Sequence, residues 1–209
     1  TAGQVSDFLE QRHADQLPLI VVRDIPGVRA GGGCQRIDAT TTSDPAVENT
    51  AGEEVEGIEW VRLMYAYPHT VLPELTTFLR ENPKAVKYLD IPIQHISSPM
   101  LRAMKRGVKS EQVRGILDRL RDEVPGIAVR STLITGFPGE TEQDFQELKN
   151  LVASYRFERL GVFTYSREET TPAHDMANQV PADVAEARAA ELMAMQQKVM
   201  RDFHESKVG

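Results

Sequence analysis

The chain has 209 residues, 41% hydrophobic and 26% charged, and its 24 Lys+Arg against 31 Asp+Glu give a net charge of −7. That composition suits one well-buried domain, or a domain with an appendage, and excludes a disordered or collagen-like chain. The acidity argues against a protein whose main task is non-specific binding of nucleic acid, and one cysteine excludes an internal disulfide or a multi-cysteine metal site.

No stretch approaches the roughly 20 apolar residues of a membrane span. The opening TAGQVSDFLEQ lacks the basic, apolar and small-residue order of a secretory signal, so a cytoplasmic protein without membrane contact is expected. Residues 1–55 read as a segment apart. It has a short amphipathic piece (Val5, Phe8, Leu9), a possible strand at Leu19–Val22, the loop-like GVRAGGGCQR, and a long polar, turn-rich stretch without periodicity.

From residue 56 the pattern becomes regular. IEWVRLMYAY predicts a strand ending at Pro68, followed by a helix with Leu72, Leu75 and Leu79 on one face. KYLDIPIQH predicts a second strand, and Val113, Ile116, Leu117 and Leu120 mark the next helix. IAVRSTLITGF reads as a buried strand, and Phe145, Leu148, Val152 and Tyr155 give the helix after it. RLGVFTYS is a fourth strand. A last helix starts at Pro181–Ala182 and carries Leu192, Met195, Val199 and Phe203. Strands alternating with helices at this spacing imply an α/β fold of parallel strands joined by right-handed crossovers. Both a doubly wound sheet and a partial (β/α) barrel fit that count. In either, chemistry belongs at the C-terminal strand ends: Tyr67–Pro68, Gln94–His95, Gly136–Pro138 and Tyr165–Ser166.

Three segments carry residues suited to chemistry. In GFPGET, Gly136 and Gly139 would let backbone approach a ligand, and the helix behind would present free N–H groups. The plainer reading is a strand-to-helix turn capped by Glu140 or Thr141. A phosphate loop fails, because no GK(S/T) follows and Glu140 would repel phosphate. In YLDIPIQHIS, alternation sets Asp90 and Gln94 on one face and His95 on the other, unless the strand ends first. Arg130 begins the next strand and would pair with Asp90 or with a ligand carboxylate. In FTYSREETTPAHDM, Tyr165 and Ser166 end a strand ahead of a charged loop. His13, His69, His174 and His204 have no metal-ligand spacing, Cys34 reads as incidental, and Met193, Met195 and Met200 read as packing.

Taken together, EGIEWVRLMYAYP, KYLDIPIQHISSPMLRAMKRG, RSTLITGFPGETEQDF, RLGVFTYSREETTPA and VPADVAEARAAELMAMQQ resemble the radical SAM methylthiotransferases. The resemblance covers about residues 56–205. It is nearest the branch that modifies an aspartate of a small-subunit ribosomal protein (the RimO type), because Asp90 and Gln94–His95 differ from the strand of the tRNA-modifying branch (the MiaB type). It implies the C-terminal part of an open, TIM-type (β/α) barrel. That barrel would hold S-adenosylmethionine (SAM) and a 4Fe–4S cluster at the strand C-terminal rim, where the cofactors carry the hard chemistry.

By position, the resemblance assigns Gly136, Phe137, Pro138, Gly139 and Glu140 to the lining of the SAM adenosine. It assigns Gln94 and Arg130 to polar contacts with SAM, and Asp90, His95 and Tyr165 to the substrate pocket. Residues 206–209 resemble the lead-in to an RNA-binding-like TRAM module, so contact with nucleic acid would be indirect or through that module. The family holds its SAM cluster with three cysteines in a CxxxCxxC loop, and thiolates are what bind the iron. This chain offers Cys34 alone and should not perform radical chemistry by itself. Thr170 stands where the family has glycine. Two further readings follow: a non-catalytic module that binds SAM or the ribosome, and a metal-independent enzyme using Asp90, His95 and Arg130 as acid–base groups.

Overall fold

In the computed structural model, the described residues are 61–206 and 208, with two short backbone segments, β1 (Ile20–Arg23) and β2 (Gln35–Asp38). These two strands pair antiparallel, Ile20 opposite Asp38 and Arg23 opposite Gln35, in a sheet of their own. The strand expected at Leu19–Val22 is therefore found one residue on, but it is not a fifth member of the parallel set. Its partner begins inside GVRAGGGCQR, whose composition predicts a loop. The remaining features expected of residues 1–60, Cys34 included, lie outside the described residues.

The chain divides into two units, residues 1–91 with 118–128 and residues 92–117 with 129–209. In the first, β3 (Val61–Leu63) and β4 (Ala85–Asp90) pair in parallel, with an irregular register between Val61 and Leu63. β3 is much shorter than the run IEWVRLMYAY suggested, and Tyr65, just past it, adopts a left-handed φ of 64° that breaks a ladder. Between them α1 (Pro73–Glu81) buries Leu75, Phe78 and Leu79. Leu72, expected on that face, is the residue before the helix and is exposed. Pro73 opens α1 because the first helical N–H has no intrahelical acceptor in any case.

In the second unit, α2 (Ser98–Ala103) follows a bend after Ile91. This helix escaped the periodicity reading because it is too short to repeat an apolar face, although Ser97 and Pro99 are its start signals. Next comes α3 (Ser110–Glu123), which the division of the chain splits after Leu117. β5 (Ala128–Thr135) and β6 (Arg159–Thr164) pair in parallel, Arg130 opposite Arg159 through Thr135 opposite Thr164. Along β5, Val129, Ser131, Leu133 and Thr135 are buried, while Arg130 between them is exposed.

Two helices cover this pair. α4 (Glu142–Tyr155) buries Phe145, Leu148, Leu151 and Val152, and α5 (Ala182–Glu205) buries Ala185, Leu192 and Val199. Between α4 and β6, Arg156 turns into the left-handed region and ends the helix, and Phe157 is fully buried. The Gln196 amide of α5 donates to the Phe157 carbonyl at 2.9 Å, satisfying a buried backbone acceptor. No helix of the described residues is long and apolar enough to cross a membrane.

Candidate functional site

β4 stops at Asp90 because Pro92 has no N–H for a ladder and the chain then reverses locally. The expected alternation of Asp90, Gln94 and His95 on one continuous strand is therefore not observed. Gln94 sits at the centre of a γ-turn: its φ is 70°, and the His95 N–H donates to the Ile93 carbonyl at 2.9 Å. This form of γ-turn is rare and strained, and strain of this kind gathers at functional positions. Gln94 is held there by β5. Its N–H donates to Thr132 O at 2.9 Å and its carbonyl accepts from Ile134 N at 2.8 Å, an isolated parallel bridge that leaves the side chain half-exposed.

His95 turns the other way and is fully buried. Its Nδ1 accepts from the backbone N–H groups of Ile96 at 2.9 Å and Ser97 at 3.0 Å, so Nε2 carries the proton, and that atom is buried without a partner. Burial pulls the imidazole pKa down to about 4, with the nearby Arg188 charge acting in the same direction and Asp144 opposing it. The ring is thus a neutral cap on the entry to α2. That role does not leave it free for the acid–base work allowed by the metal-independent reading.

Beside it, Ser97 and Asp144 share a short hydrogen bond from the serine hydroxyl. The other oxygen of Asp144 accepts from Thr141 N at 2.9 Å and from Thr141 Oγ1 at 2.5 Å, while Asp144 N donates back to Thr141 Oγ1 at 3.2 Å. This is a reciprocal capping box at the start of α4, built on Thr141-x-x-Asp144. Burial alone would raise the Asp144 pKa, but the hydrogen bonds from Ser97 and Thr141 outweigh it and hold the carboxyl below its ordinary range.

The Gly136–Glu140 turn closes on itself. The Glu140 carboxylate accepts from Gly136 N at 2.5 Å and from Arg188 Nη1 at 2.9 Å, and Glu140 N donates to Phe137 O at 3.0 Å. Burial pushes the Glu140 carboxyl above its usual range, against the pull of the Gly136 N–H and the Arg188 charge. Gly136 has a φ of 77°, and a Cβ there would lie 2.3 Å from the Cβ of Ala185. Its missing side chain therefore makes room for α5 and does not open space for a ligand. Gly139, at φ 87°, would bring a Cβ only into ordinary contact, 3.8 Å from Met100.

Phe137 is buried and meets the Tyr165 ring edge-on, with centroids 5.2 Å apart. Tyr165 N donates to Thr135 O at 2.8 Å, continuing the β5–β6 pairing, and the Tyr165 hydroxyl is buried with no hydrogen-bond partner. Pro138 is buried. The structure thus brings Gln94, His95, the Gly136–Glu140 turn and Tyr165 into one unit. Arg130 belongs to the same unit, but on the order of 20 Å of strand separates it from Gly136 at the parallel-strand rise. Asp90 ends β4 in the other unit, buried, its carbonyl accepting from Ala66 N at 2.8 Å. Thr170 has no positive φ, so its backbone does not need the family's glycine.

Ser97, Asp144 and Arg188 were missed. Ser97 and Asp144 were readable as helix-start signals, whereas nothing local marks a buried arginine in the alanine-rich AEARAAE. The residues present offer a ligand of the adenosyl class one observable point, the orphaned Tyr165 hydroxyl, and the Gln94 side chain of the same unit is half-exposed. They do not fit an iron–sulfur cluster. The sequence holds one thiol, and among the described residues no group of three His, Cys, Asp or Glu side chains could hold a metal ion.

Comparison with known proteins agrees with this architecture. Over 154 residues the chain is 51% identical to the ribosomal protein uS12 methylthiotransferase RimO of Acetivibrio thermocellus, covering 74% of this chain and 34% of that protein. It is 53% identical to the protein of the same name from Anaeromyxobacter sp. strain Fw109-5, over 75% of this chain and 33% of the relative. The chain therefore spans about a third of the length of these relatives. Among solved structures, coproporphyrinogen III oxidase HemN of Escherichia coli matches with a TM-score of 0.55 at 18% identity, over 67% of this chain and 32% of that one, a likeness of fold. The model of the radical SAM superfamily matches residues 38–152, over half of the sequence and starting ahead of residue 56, where the resemblance was first legible. On that match, and with its parallel strands alternating with helices, the chain belongs to the radical SAM superfamily.

Proposed function

We propose that this chain is the SAM-binding portion of a methylthiotransferase acting on an aspartate of ribosomal protein uS12, working in the cytoplasm without membrane contact. The observation that supports the substrate is identity of about half over three quarters of the chain to proteins of that name. SAM, when bound, supplies the adenosyl and methyl groups of the family's chemistry. The residues of this chain hold and orient it. The strained Gln94 turn presents a half-exposed amide, the Gly136–Glu140 turn backs the adenosine, Tyr165 offers its hydroxyl, and buried Phe137 and Pro138 exclude water. Asp90 and Arg130 are assigned to substrate and SAM through the resemblance alone. No step is assigned to a cluster held by this chain, because one thiol is too few. Reconstitution with iron and sulfide is therefore expected to load less than one 4Fe–4S cluster per chain, and full loading that responds to SAM would overturn this.

The single thiol also favours a second reading, a module that binds SAM without catalysing its chemistry. Both readings require a SAM pocket. Calorimetry with SAM in the absence of iron is expected to show weak but measurable binding, and no binding would sink them together. Gln94→Gly relieves the left-handed backbone, so it should gain roughly 1 kcal/mol of stability while losing the amide contact to SAM. A variant that gained stability and bound SAM as before would remove Gln94 from the pocket.

A further inference from the structure

We infer that Arg188, on the first turns of the C-terminal helix α5, is the positioning residue of the Gly136–Glu140 turn: it holds the Glu140 carboxylate where that group captures the Gly136 N–H. This rests on the reading that the turn backs the SAM adenosine.

The turn and its strand are tied to α5 and to the segment that leads into it. Arg188 Nη1 donates to the Glu140 carboxylate at 2.9 Å and to the Glu140 carbonyl at 3.3 Å. Thr135 Oγ1 donates to Ala185 O at 3.0 Å. Gly139 N donates to Asn178 O at 2.9 Å. Gly136 lies so close to Ala185 that no side chain fits between them. Arg188 also reaches Glu142 through Nη2 at 3.2 Å and lies over the Phe145 ring, 5.1 Å from its centroid. Its side chain is 10% exposed and that of Glu140 is 0% exposed.

A buried ion pair is weak evidence for stability, since an apolar pair of similar volume often serves as well. What an apolar pair does not reproduce is the planar fork of the guanidinium, in which Nη1 takes the backbone carbonyl and the carboxylate of Glu140 while Nη2 reaches Glu142. The carboxylate so fixed takes the Gly136 N–H, and this orients the peptide between β5 and the turn. Glu140 therefore faces its own backbone and α5. It is a frame for the ligand-facing turn and not a contact with the ligand.

The test compares wild type, Arg188→Met and Arg188→Lys. It measures affinity for SAM and for adenosine by calorimetry below the melting temperature, and amide exchange at Gly136 by NMR. Arg188→Met should weaken both ligands by about tenfold, the scale of one charged hydrogen bond, and speed exchange at Gly136. Arg188→Lys keeps the charge without the fork and should restore part of each, and it carries the test if the methionine variant does not fold. Unchanged affinity and unchanged Gly136 exchange in a folded variant, with only the melting temperature lowered, would overturn the positioning role. If the wild type binds neither ligand, the reading of the pocket falls by itself, and Gly136 exchange still decides whether Arg188 sets the turn.

Discussion

The Ser97 hydroxyl donates to Asp144 and thereby joins the residue that caps α2 to the residue that closes the capping box of α4. One carboxylate serves two helix starts, so its loss is felt at both. Ser97→Ala leaves a buried carboxylate oxygen short of its donor and should cost about 1–3 kcal/mol in urea unfolding at neutral pH. Asp144→Ala removes the box as well and should cost more. Asp144 titrates below its ordinary 3.8 in the folded protein, so its contribution is complete above that pH and is lost as pH falls through the lowered folded value. An Asp144→Asn protein should show a flatter stability curve below about pH 4. An unchanged curve would mean that the carboxylate is not held in its charged form.

His95 acts over a different range. The unfolded chain takes up a proton near pH 6.5, whereas the folded ring resists until about 4. The unfolded state therefore binds more protons between these values, and stability declines as pH is lowered from about 6.5 to about 4, by about 3 kcal/mol over the whole interval. Above 6.5 this group contributes no slope. His95→Asn can keep an acceptor for the Ile96 and Ser97 amides without titrating. Its unfolding midpoint should lose this decline, leaving in that window the slope of opposite sign that the raised Glu140 carboxyl gives. A retained decline would locate the titration elsewhere.

The two glycines of the strand-end turn should respond unequally to alanine. At Gly136 the new Cβ would stand 2.3 Å from Ala185, so α5 has to shift, and the left-handed φ adds strain. Thermal unfolding should show a loss above roughly 3 kcal/mol, in the range of severe overpacking with backbone strain. At Gly139 only the φ of 87° is unfavourable, and a loss of about 1–2 kcal/mol is expected. Equal losses at the two positions would show that contact with α5 is not what makes Gly136 a glycine.

Tyr165→Phe removes a hydroxyl that is buried without a partner. In the ligand-free protein the change should be neutral or stabilising, by up to about 2 kcal/mol, because an unmet polar group disappears. With saturating SAM the order should reverse, the wild type gaining the larger increase in melting temperature. If both proteins gain equally from SAM, the hydroxyl takes no part in holding it.

Much of the fold was legible because burial writes a period into the sequence. Val113, Leu117 and Leu120, or Phe145, Leu148 and Val152, repeat at helical spacing and are buried where that spacing predicts. Strand ends were less legible. A run such as KYLDIPIQH stays apolar through a proline and a γ-turn, so hydropathy continues after the ladder has stopped. The parallel set also had no way to announce that Ile20–Arg23 stands outside it, since a short apolar run reads alike in parallel and antiparallel sheets. In the site, the glycines of GFPGET were found, but their reason was not. Ala185, the neighbour of Gly136, and Met100, the neighbour of Gly139, lie far along the chain, and no local pattern records a tertiary contact.

The bend at Ile93–Ile96 has a consequence for how this chain can vary in length. Gln94 is bonded to β5 on both sides, and Ser97 is bonded to α4, so the residues between these anchors span a fixed gap. Removing one of them would draw Ser97 off Asp144 by about 3 Å, the rise of a single extended residue. Related chains that keep both anchors should therefore keep this spacing as well, and tolerate insertions only outside it.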